Sequence, residues 1–338
     1  MPADAPAGSP TTGGPIEELT DTTAGALLPE RSARGHKGTF GRLLVVAGSL
    51  DYAGSALLVC LAAGRAGAGL VALAVPESLQ PLFAAKVVEA TTMGLPEDDV
   101  EEVEPEDALA RILDHEHDAL VVGPGLRPGL TTVELIRRLL AVADEGTPPA
   151  VVDAEALRSL AAEDDWWLGV HLACVLTPHT GEFARLRAAS GIAAGADGDL
   201  LADDDARAAA ATDAAQRWGQ VVVLKGARTV IAAPDGRIAR AGFENPGLAS
   251  GGTGDVLSGT IGALLAQHLE PFAAARLGVF LHGTAGESIR DRLGDAGLLA
   301  SDLPFEIALA RKRLAATRAR RTAERKLGFG VRAGGSPS

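Results

Sequence analysis

The sequence predicts an α/β fold with one mostly parallel sheet covered by helices on both faces. Three observations lead there. Short runs of valine, leucine and alanine recur along the 338 residues, and alanine-rich helical stretches lie between them. The runs are also continuously apolar rather than alternating, the pattern of strands buried on both sides. Repeated βα units of this kind close into a parallel sheet through crossover helices.

Taken in order, the chain opens with MPADAPAGSPTTGGPIEEL, rich in Pro, Gly, Ser and Thr, and residues 1–18 are expected to be a disordered tail. A single body is expected over 19–318, because no internal repeat or break in composition divides it. Its strands are RLLVVAG (42–48), GLVALAV (69–75), ALVVG (119–123), AVVD (150–153), CVLTP (174–178) and VVVLKG (221–226). Helical stretches fall at Ser55–Ala66, Thr132–Ala143 and Ala206–Trp218. TVIAAPDGRIARAG reads as two short strands turning at Asp235-Gly236, a hairpin signal. VLSGTIGALLAQ (256–267) reads as an apolar helix. Nine Lys or Arg lie between Arg311 and Arg332 against one acid, Glu324, so 319–338 is expected as a basic, flexible tail.

Composition excludes several classes of function. The net charge of −13 argues against a nucleic-acid or anionic-membrane surface. Cys60 and Cys174 have no CxxC spacing, so neither a disulfide framework nor a structural zinc site is expected. No apolar run approaches the ~18–20 residues that span a bilayer, and a cytoplasmic protein is expected. The HEH at 115–117 does not make a metal pair, since residues i and i+2 do not share a helix face.

The polar and glycine-rich motifs mostly come directly after strands: GSLDYAGS, GPGLRPG, PHTGE and KGART. Ligands of open α/β sheets bind beyond the carboxyl ends of the strands, so these motifs should converge on one edge. In SGGTGDVLSG the glycines clear side chains from backbone amides that open a helix, a geometry suited to a terminal phosphate. A carboxylate there repels a phosphate unless it serves chemistry. Asp255 therefore reads as a base for an acceptor hydroxyl, held ionised by the helix dipole, while the loop screens the phosphoryl oxygens. GxxxxGK[ST] is absent, and GPGLRPG has its third glycine one place late for a dinucleotide turn.

At this level of detail the chain resembles the ADP- or ATP-dependent NAD(P)H-hydrate dehydratases of the ribokinase-like superfamily. NPGLASGGTGDVLSG is similar to the family signature, and LLPERSARGHKGTFGRLLVVAGS, AGLVALAVPES, LVVGPGL, VVDAEAL, LTPHTGEFARL, VVVLKGARTVI and GLLASDL agree in order, from Leu19 to Leu303. The resemblance implies a three-layer αβα ribokinase-like fold. It implies a lyase that repairs hydrated NADH and NADPH: S-NAD(P)H-hydrate plus ADP gives NAD(P)H, AMP and phosphate, with Mg2+ on the nucleotide. The ring hydroxyl is phosphorylated and phosphate is then expelled by the ring nitrogen. A homotetramer is implied as well, and a separate NAD(P)H-hydrate epimerase, since only about 20 residues precede the match.

Carried over by position, the resemblance makes Asp255 the catalytic base. It places AMP or ADP against Lys225, Gly226, Ala227, Arg228 and Thr229, and against Asn245, Ser250, Gly251, Gly252, Thr253 and Gly254. It places the hydrated dinucleotide against Ser55, Gly125, His179, Thr180, Gly181, Glu182 and Asp255. No residue is assigned directly to metal. Two positions depart from the family pattern. Gly54-Ser55-Ala56 stands where Gly-Ala-Ala is usual, so Ser55 either adds a hydrogen bond or is simply accommodated. GPGLR replaces GPGLG and puts Arg127 at the substrate rim. Three rival readings are a superfamily kinase of a thiazole or pyrimidine alcohol, a non-catalytic nucleotide sensor and an NAD dehydrogenase. The LTPHTGEF and HKGTFG segments favour the dehydratase over the first. The choice between ADP and ATP is open.

Overall fold

The computed structural model describes residues 15–99, 102–143, 146–192 and 199–328. The strands in chain order are β1 (Glu17–Glu18), β2 (Arg42–Val46), β3 (Leu70–Pro76), β4 (Thr91–Leu95), β5 (Glu97–Asp99), β6 (Glu102–Val103), β7 (Ala119–Val122), β8 (Ala150–Val152), β9 (Cys174–Leu176), β10 (Val221–Leu224), β11 (Val230–Ala232) and β12 (Ile238–Arg240). The helices are α1 (Asp21–Leu27), α2 (Ala53–Ala66), α3 (Gln80–Ala84), α4 (Pro105–Asp114), α5 (Leu130–Leu140), α6 (Glu155–Leu160), α7 (Thr180–Ala189), α8 (Asp204–Trp218), α9 (Thr253–Ala266), α10 (Pro271–Leu293) and α11 (Leu303–Gly328).

Ten strands form one sheet in the order β1-β12-β11-β10-β9-β8-β7-β2-β3-β4, while β5 and β6 pair by themselves. Within this sheet of described residues only β11 runs against its neighbours, as the first arm of the expected hairpin. The continuous apolar runs now have their reason. Leu43, Val45, Val121, Val151 and Val175 face a core shared with α2, α9, α10 and α11. Leu44, Val46, Leu120, Val122, Val152 and Leu176 face a second core under α4 to α8. With helices on both faces, neither side of a central strand can be polar.

Three features were not expected. β4, with the sequence TTMGL, lacks a strand-like apolar run because it is the sheet's edge and only one neighbour holds it. Residues 1–14 of the tail expected over 1–18 lie outside the described residues, but its end is built into the fold. Glu17-Glu18 adds in parallel to β12, and Glu18 accepts from Arg240 Nε at 2.9 Å while Glu17 pairs with Arg276. At the other end, α11 continues through the basic run to Gly328, so the expected tail at 319–338 begins as helix, and 329–338 lie outside the described residues. Arg311 and Arg318 of that run cap chain ends of neighbouring elements, on Ala66 and Leu28 carbonyls. Both cysteines are buried thiols, and burial pushes Cys60 up to about 12.

Helices α2 and α9 pack directly on one another. A Cβ on Gly259 would lie 2.3 Å from the Val59 carbonyl oxygen, so only glycine lets α9 seat on α2. That contact brings the α9 N-terminus beside the α2 N-terminus at the carboxyl edge of the sheet.

Candidate active site

The post-strand motifs converge there. An isolated parallel bridge between His179 and Lys225 extends the β9–β10 pairing past the strands, so the HTGE and KGART segments lie side by side. Lys225 Nζ donates to Asp153 Oδ1 at 2.9 Å and lies 3.9 Å from Glu182 Oε2. The other Asp153 oxygen accepts from Ser258 Oγ at 2.6 Å. A Cβ on Gly254 would be 3.4 Å from Lys225 Nζ, which puts the ammonium directly against the glycine loop.

Gly252 starts α9 in the left-handed region, at φ +88°, where its missing side chain makes room for Leu58 and Ala300. Thr253 Oγ donates to the Leu248 carbonyl at 2.7 Å and to the Ser250 carbonyl at 2.9 Å, so its hydroxyl shapes the loop. What Gly251, Gly252 and Gly254 can offer an anion is the backbone amides at the start of α9, the Thr253 N–H being directed to the Ser250 carbonyl at 3.4 Å. Asp255 comes next, half-buried. Burial first, and then the nearby Asp153 carboxylate, raise its proton affinity from 3.8 to about 6, against the hydrogen bond from Ser55 and the attraction of Lys225. The helix dipole was expected to keep it ionised, and with its proton affinity at about 6 it is still mostly ionised at neutral pH, though burial brings it close to titration. The result is a base poised near neutrality.

The Ser55 hydroxyl stands by the Asp255 carboxyl and favours its ionised form. Gly125, at φ +65°, abuts it: a Cβ there would be 2.8 Å from Ser55 Cβ and 2.7 Å from the Tyr52 carbonyl oxygen. Ser55, Gly125 and Asp255 thus form one wall. His179 caps α7, its Nδ1 accepting from Gly181 N–H at 3.0 Å, while Glu182 Oε2 accepts from the His179 N–H at 2.8 Å. The imidazole is 55% exposed, with Nδ1 capping the helix and Nε2 lying 3.5 Å from Glu182 Oε1. Thr180 opens the helix beside it. Glu182 is 7% exposed, and burial raises its proton affinity more than Lys225 lowers it. Burial also disfavours the Lys225 ammonium, but Asp153, Glu182 and Asp255 outweigh it and hold its proton affinity above the ordinary lysine value.

Behind the loop lies a cavity of about 410 Å³ lined by Lys225, Gly226, Ala227, Thr229, Asn245 and Gly254. Its inner wall is apolar and was not read from the sequence: Phe243, Leu248, Leu257 and Val279, with His282 from α10. Burial lowers His282 to about 4, so it is neutral, and its Nε2 donates to the Thr253 carbonyl at 2.9 Å. Asn245 Oδ1 accepts from Gly247 N–H at 2.9 Å, and its amide Nδ2 is a buried donor lacking a partner among the described residues. Arg228 turns outward to Asp204, at 3.1 Å, and does not line the cavity. The cation behind the loop is instead the buried Arg207, which donates to the Ala227 and Leu224 carbonyls at 2.7 and 3.1 Å. Arg127 lines a small gap with Ser49, just beyond the end of β2, and not the cavity behind the loop.

Comparison with known proteins matches this arrangement to one family. The model of the NAD(P)H-hydrate dehydratase family fits residues 43–308. The chain belongs to the NAD(P)H-hydrate dehydratase family. An ADP-dependent (S)-NAD(P)H-hydrate dehydratase from Xanthomonas campestris pv. campestris is 36% identical over 289 residues, covering 84% of this chain and 93% of that protein. A bifunctional NAD(P)H-hydrate repair enzyme, Nnr, from Moorella thermoacetica is 43% identical over 287 residues, 84% of this chain but 52% of the relative. The chain thus spans about half the length of the bifunctional relatives it matches. Among solved structures, the ADP/ATP-dependent NAD(P)H-hydrate dehydratase from Bacillus subtilis, co-crystallized with ATP and Mg2+, superposes with a TM-score of 0.73 at 32% identity, covering 88% of this chain and 99% of that one.

Within the family frame, two residues stand out that the sequence alone did not bring to the site. Asp153 is the third residue of VVDAEAL and Ser258 lies inside the signature itself, yet neither is expected there from its motif. The signal available was an aspartate directly after a buried strand, where a carboxylate needs a partner.

Proposed function

We propose that this chain dehydrates the S-epimer of hydrated NADH and NADPH, using ADP as phosphoryl donor and releasing AMP and phosphate. The observation that carries this reading is the place of Asp255, between the Ser55–Gly125 wall and the glycine loop over Lys225. A hydroxyl on the first side can meet a phosphorus atom on the second only past this carboxylate.

AMP is assigned to the 410 Å³ cavity, its base among Phe243, Leu248 and Val279 and its phosphate toward Gly226 and Gly254. The Asn245 amide donor is available to it. Ser250 and Gly251, exposed just before α9, are assigned to the phosphates in the same reading. The hydrated ring is assigned to Ser55, Gly125 and Asp255, with the dinucleotide continuing along His179, Thr180 and Gly181. As the ring oxygen attacks the terminal phosphorus, Asp255 takes its proton and the bond to AMP breaks. Lys225 and the α9 amides stabilise the charge gathering on the phosphoryl oxygens. The ring nitrogen lone pair then expels phosphate, and loss of a neighbouring ring proton restores the double bond of NAD(P)H.

Magnesium belongs to the nucleotide in this reading. Among the described residues no three His, Cys, Asp or Glu side chains converge as a metal cage, and Asp153 and Glu182 are turned onto Lys225. Mg2+, when bound with the nucleotide, would be held mainly by phosphate oxygens and would supply charge neutralisation beside these carboxylates. Because the reaction takes one epimer, an upstream epimerase activity is part of the same proposal, as are a cytoplasmic setting and a homotetramer. Among the described residues no helix is long and apolar enough to cross a membrane.

The test is incubation of the purified protein with S-NADPH-hydrate, Mg2+ and either ADP or ATP. Return of the reduced-nicotinamide absorbance with ADP, and more slowly with ATP, is expected. Accumulation of a stable phosphorylated product would instead make it a small-molecule kinase.

A further inference from the structure

Asp153 is the most deeply buried carboxylate of the site, at 1% exposed against 7% for Glu182. Both of its oxygens are held, one by Lys225 Nζ at 2.9 Å and one by Ser258 Oγ at 2.6 Å. Its backbone is fixed as well. Its N–H donates to the Val122 carbonyl at 3.2 Å, and its own carbonyl oxygen lies 2.0 Å from where a Cβ on Gly123 would be. This is an anchor, unable to turn toward a ligand.

What it anchors is Lys225. Three carboxylates compete for that ammonium: Asp153 at 2.9 Å, Glu182 at 3.9 Å, and Asp255, close enough to attract it. Were Asp255 to win, the base would be quenched by its own ion pair and the cation would leave the glycine loop. We propose that Asp153 is a positioning residue, which holds Lys225 against the phosphoryl loop and so keeps the Asp255 carboxylate unpaired and basic.

The surroundings of Asp255 contain few other groups that could do this. α2 supplies the Ser55 hydroxyl, and α10 supplies neutral His282, bound to the Thr253 carbonyl. Glu182 of α7 stands behind Lys225. β2 and β7 meet α9 through apolar Leu43 and Val121. On α11, Glu306 is committed to Arg292 and Ser288. Loss of the Asp153 charge acts twice in one direction: it removes a repulsion that raises the proton affinity of Asp255 and releases an ammonium that lowers it.

The proposal rests on Asp255 acting as base in the dehydratase reading, but its test does not require turnover. In the intact protein, carbon-13 NMR tracks titration of the Asp255 carboxyl, identified by its loss in Asp255→Asn. Asp153→Asn is expected to move that titration down by roughly one to two pH units, and an unchanged or raised titration overturns the proposal. In the absorbance assay with S-NADPH-hydrate and ADP, the acid limb of kcat should move down with it and kcat should fall at least about tenfold. A purely structural role would lower kcat and leave the limb in place. If Asp153→Asn strands Lys225 and fails to fold, the pair is removed together: in a Lys225→Met background, Asp153→Asn still lowers the titration through the lost repulsion, and no change there is equally fatal. A wild-type protein that fails to regenerate NADPH would sink the dehydratase reading while leaving the NMR result to judge Asp153.

Discussion

Replacing Asp255 with asparagine should make the protein inactive and more stable at once. The carboxyl is half-buried among Asp153, Ser55 and Lys225, and its proton affinity rises from 3.8 to about 6 on folding. A displacement of that size, at ~1.4 kcal/mol per pH unit, sets a ceiling of about 3 kcal/mol on the cost of keeping the group ionised in the native state. Solvent reaching the open site lowers the figure, and about 1–3 kcal/mol is expected. The direction of the shift gives the sign. The native state binds this proton more tightly than the unfolded chain does, so the favourable contribution is complete below about pH 3.8 and is lost as pH rises through about 6. Asparagine stays neutral throughout. Urea unfolding of the two proteins should therefore show a gap that is full at pH 7.5 and roughly half as large at pH 5. Meanwhile turnover should fall about 10²–10⁴-fold, and ADP binding should persist because a charge that repels the phosphates has gone. A variant no more stable than wild type at pH 7.5, or a gap independent of pH, would refute the buried-base argument.

Two further changes probe the frame around that base. Gly259→Ala places a methyl 2.3 Å from the Val59 carbonyl oxygen. It should destabilise the protein by about 1–3 kcal/mol, and lower kcat, because α2 carries Ser55 and α9 carries Asp255; urea unfolding that matches wild type would show that the helices do not depend on this contact. Ser55→Ala removes a donor that stabilises the Asp255 carboxylate, so the acid limb of the kcat profile should move upward, by less than about one pH unit. A limb that stays in place would mean Ser55 is only accommodated.

Much of this frame was legible because each motif sits directly after a strand. RLLVVAG, ALVVG, CVLTP and VVVLKG show continuous apolar runs, and a parallel sheet puts the segments after its strands on one edge whatever the loops do. The hairpin at Asp235-Gly236 was equally plain, since turn chemistry is local. The features that stayed hidden depended on contacts far apart in the chain. TTMGL has no pattern that marks an edge strand. Phe243, Val279 and His282 are ordinary apolar-segment residues until α10 crosses behind the loop. Asp153 and Lys225 are 72 residues apart, and no spacing rule joins them. The Asp255 shift was missed because its main cause is burial, which a local reading of glycines and a helix dipole cannot supply.

The central claim is that phosphorylation here serves to expel water from a hydrated nicotinamide ring. It is tested most directly by the stoichiometry of a single reaction with S-NADPH-hydrate, ADP and Mg2+, measuring NADPH, AMP and inorganic phosphate together. Equal amounts of all three are expected, with none formed by Asp255→Asn above the uncatalysed background. AMP appearing without NADPH and free phosphate, or NADPH appearing without ADP consumption, would contradict it.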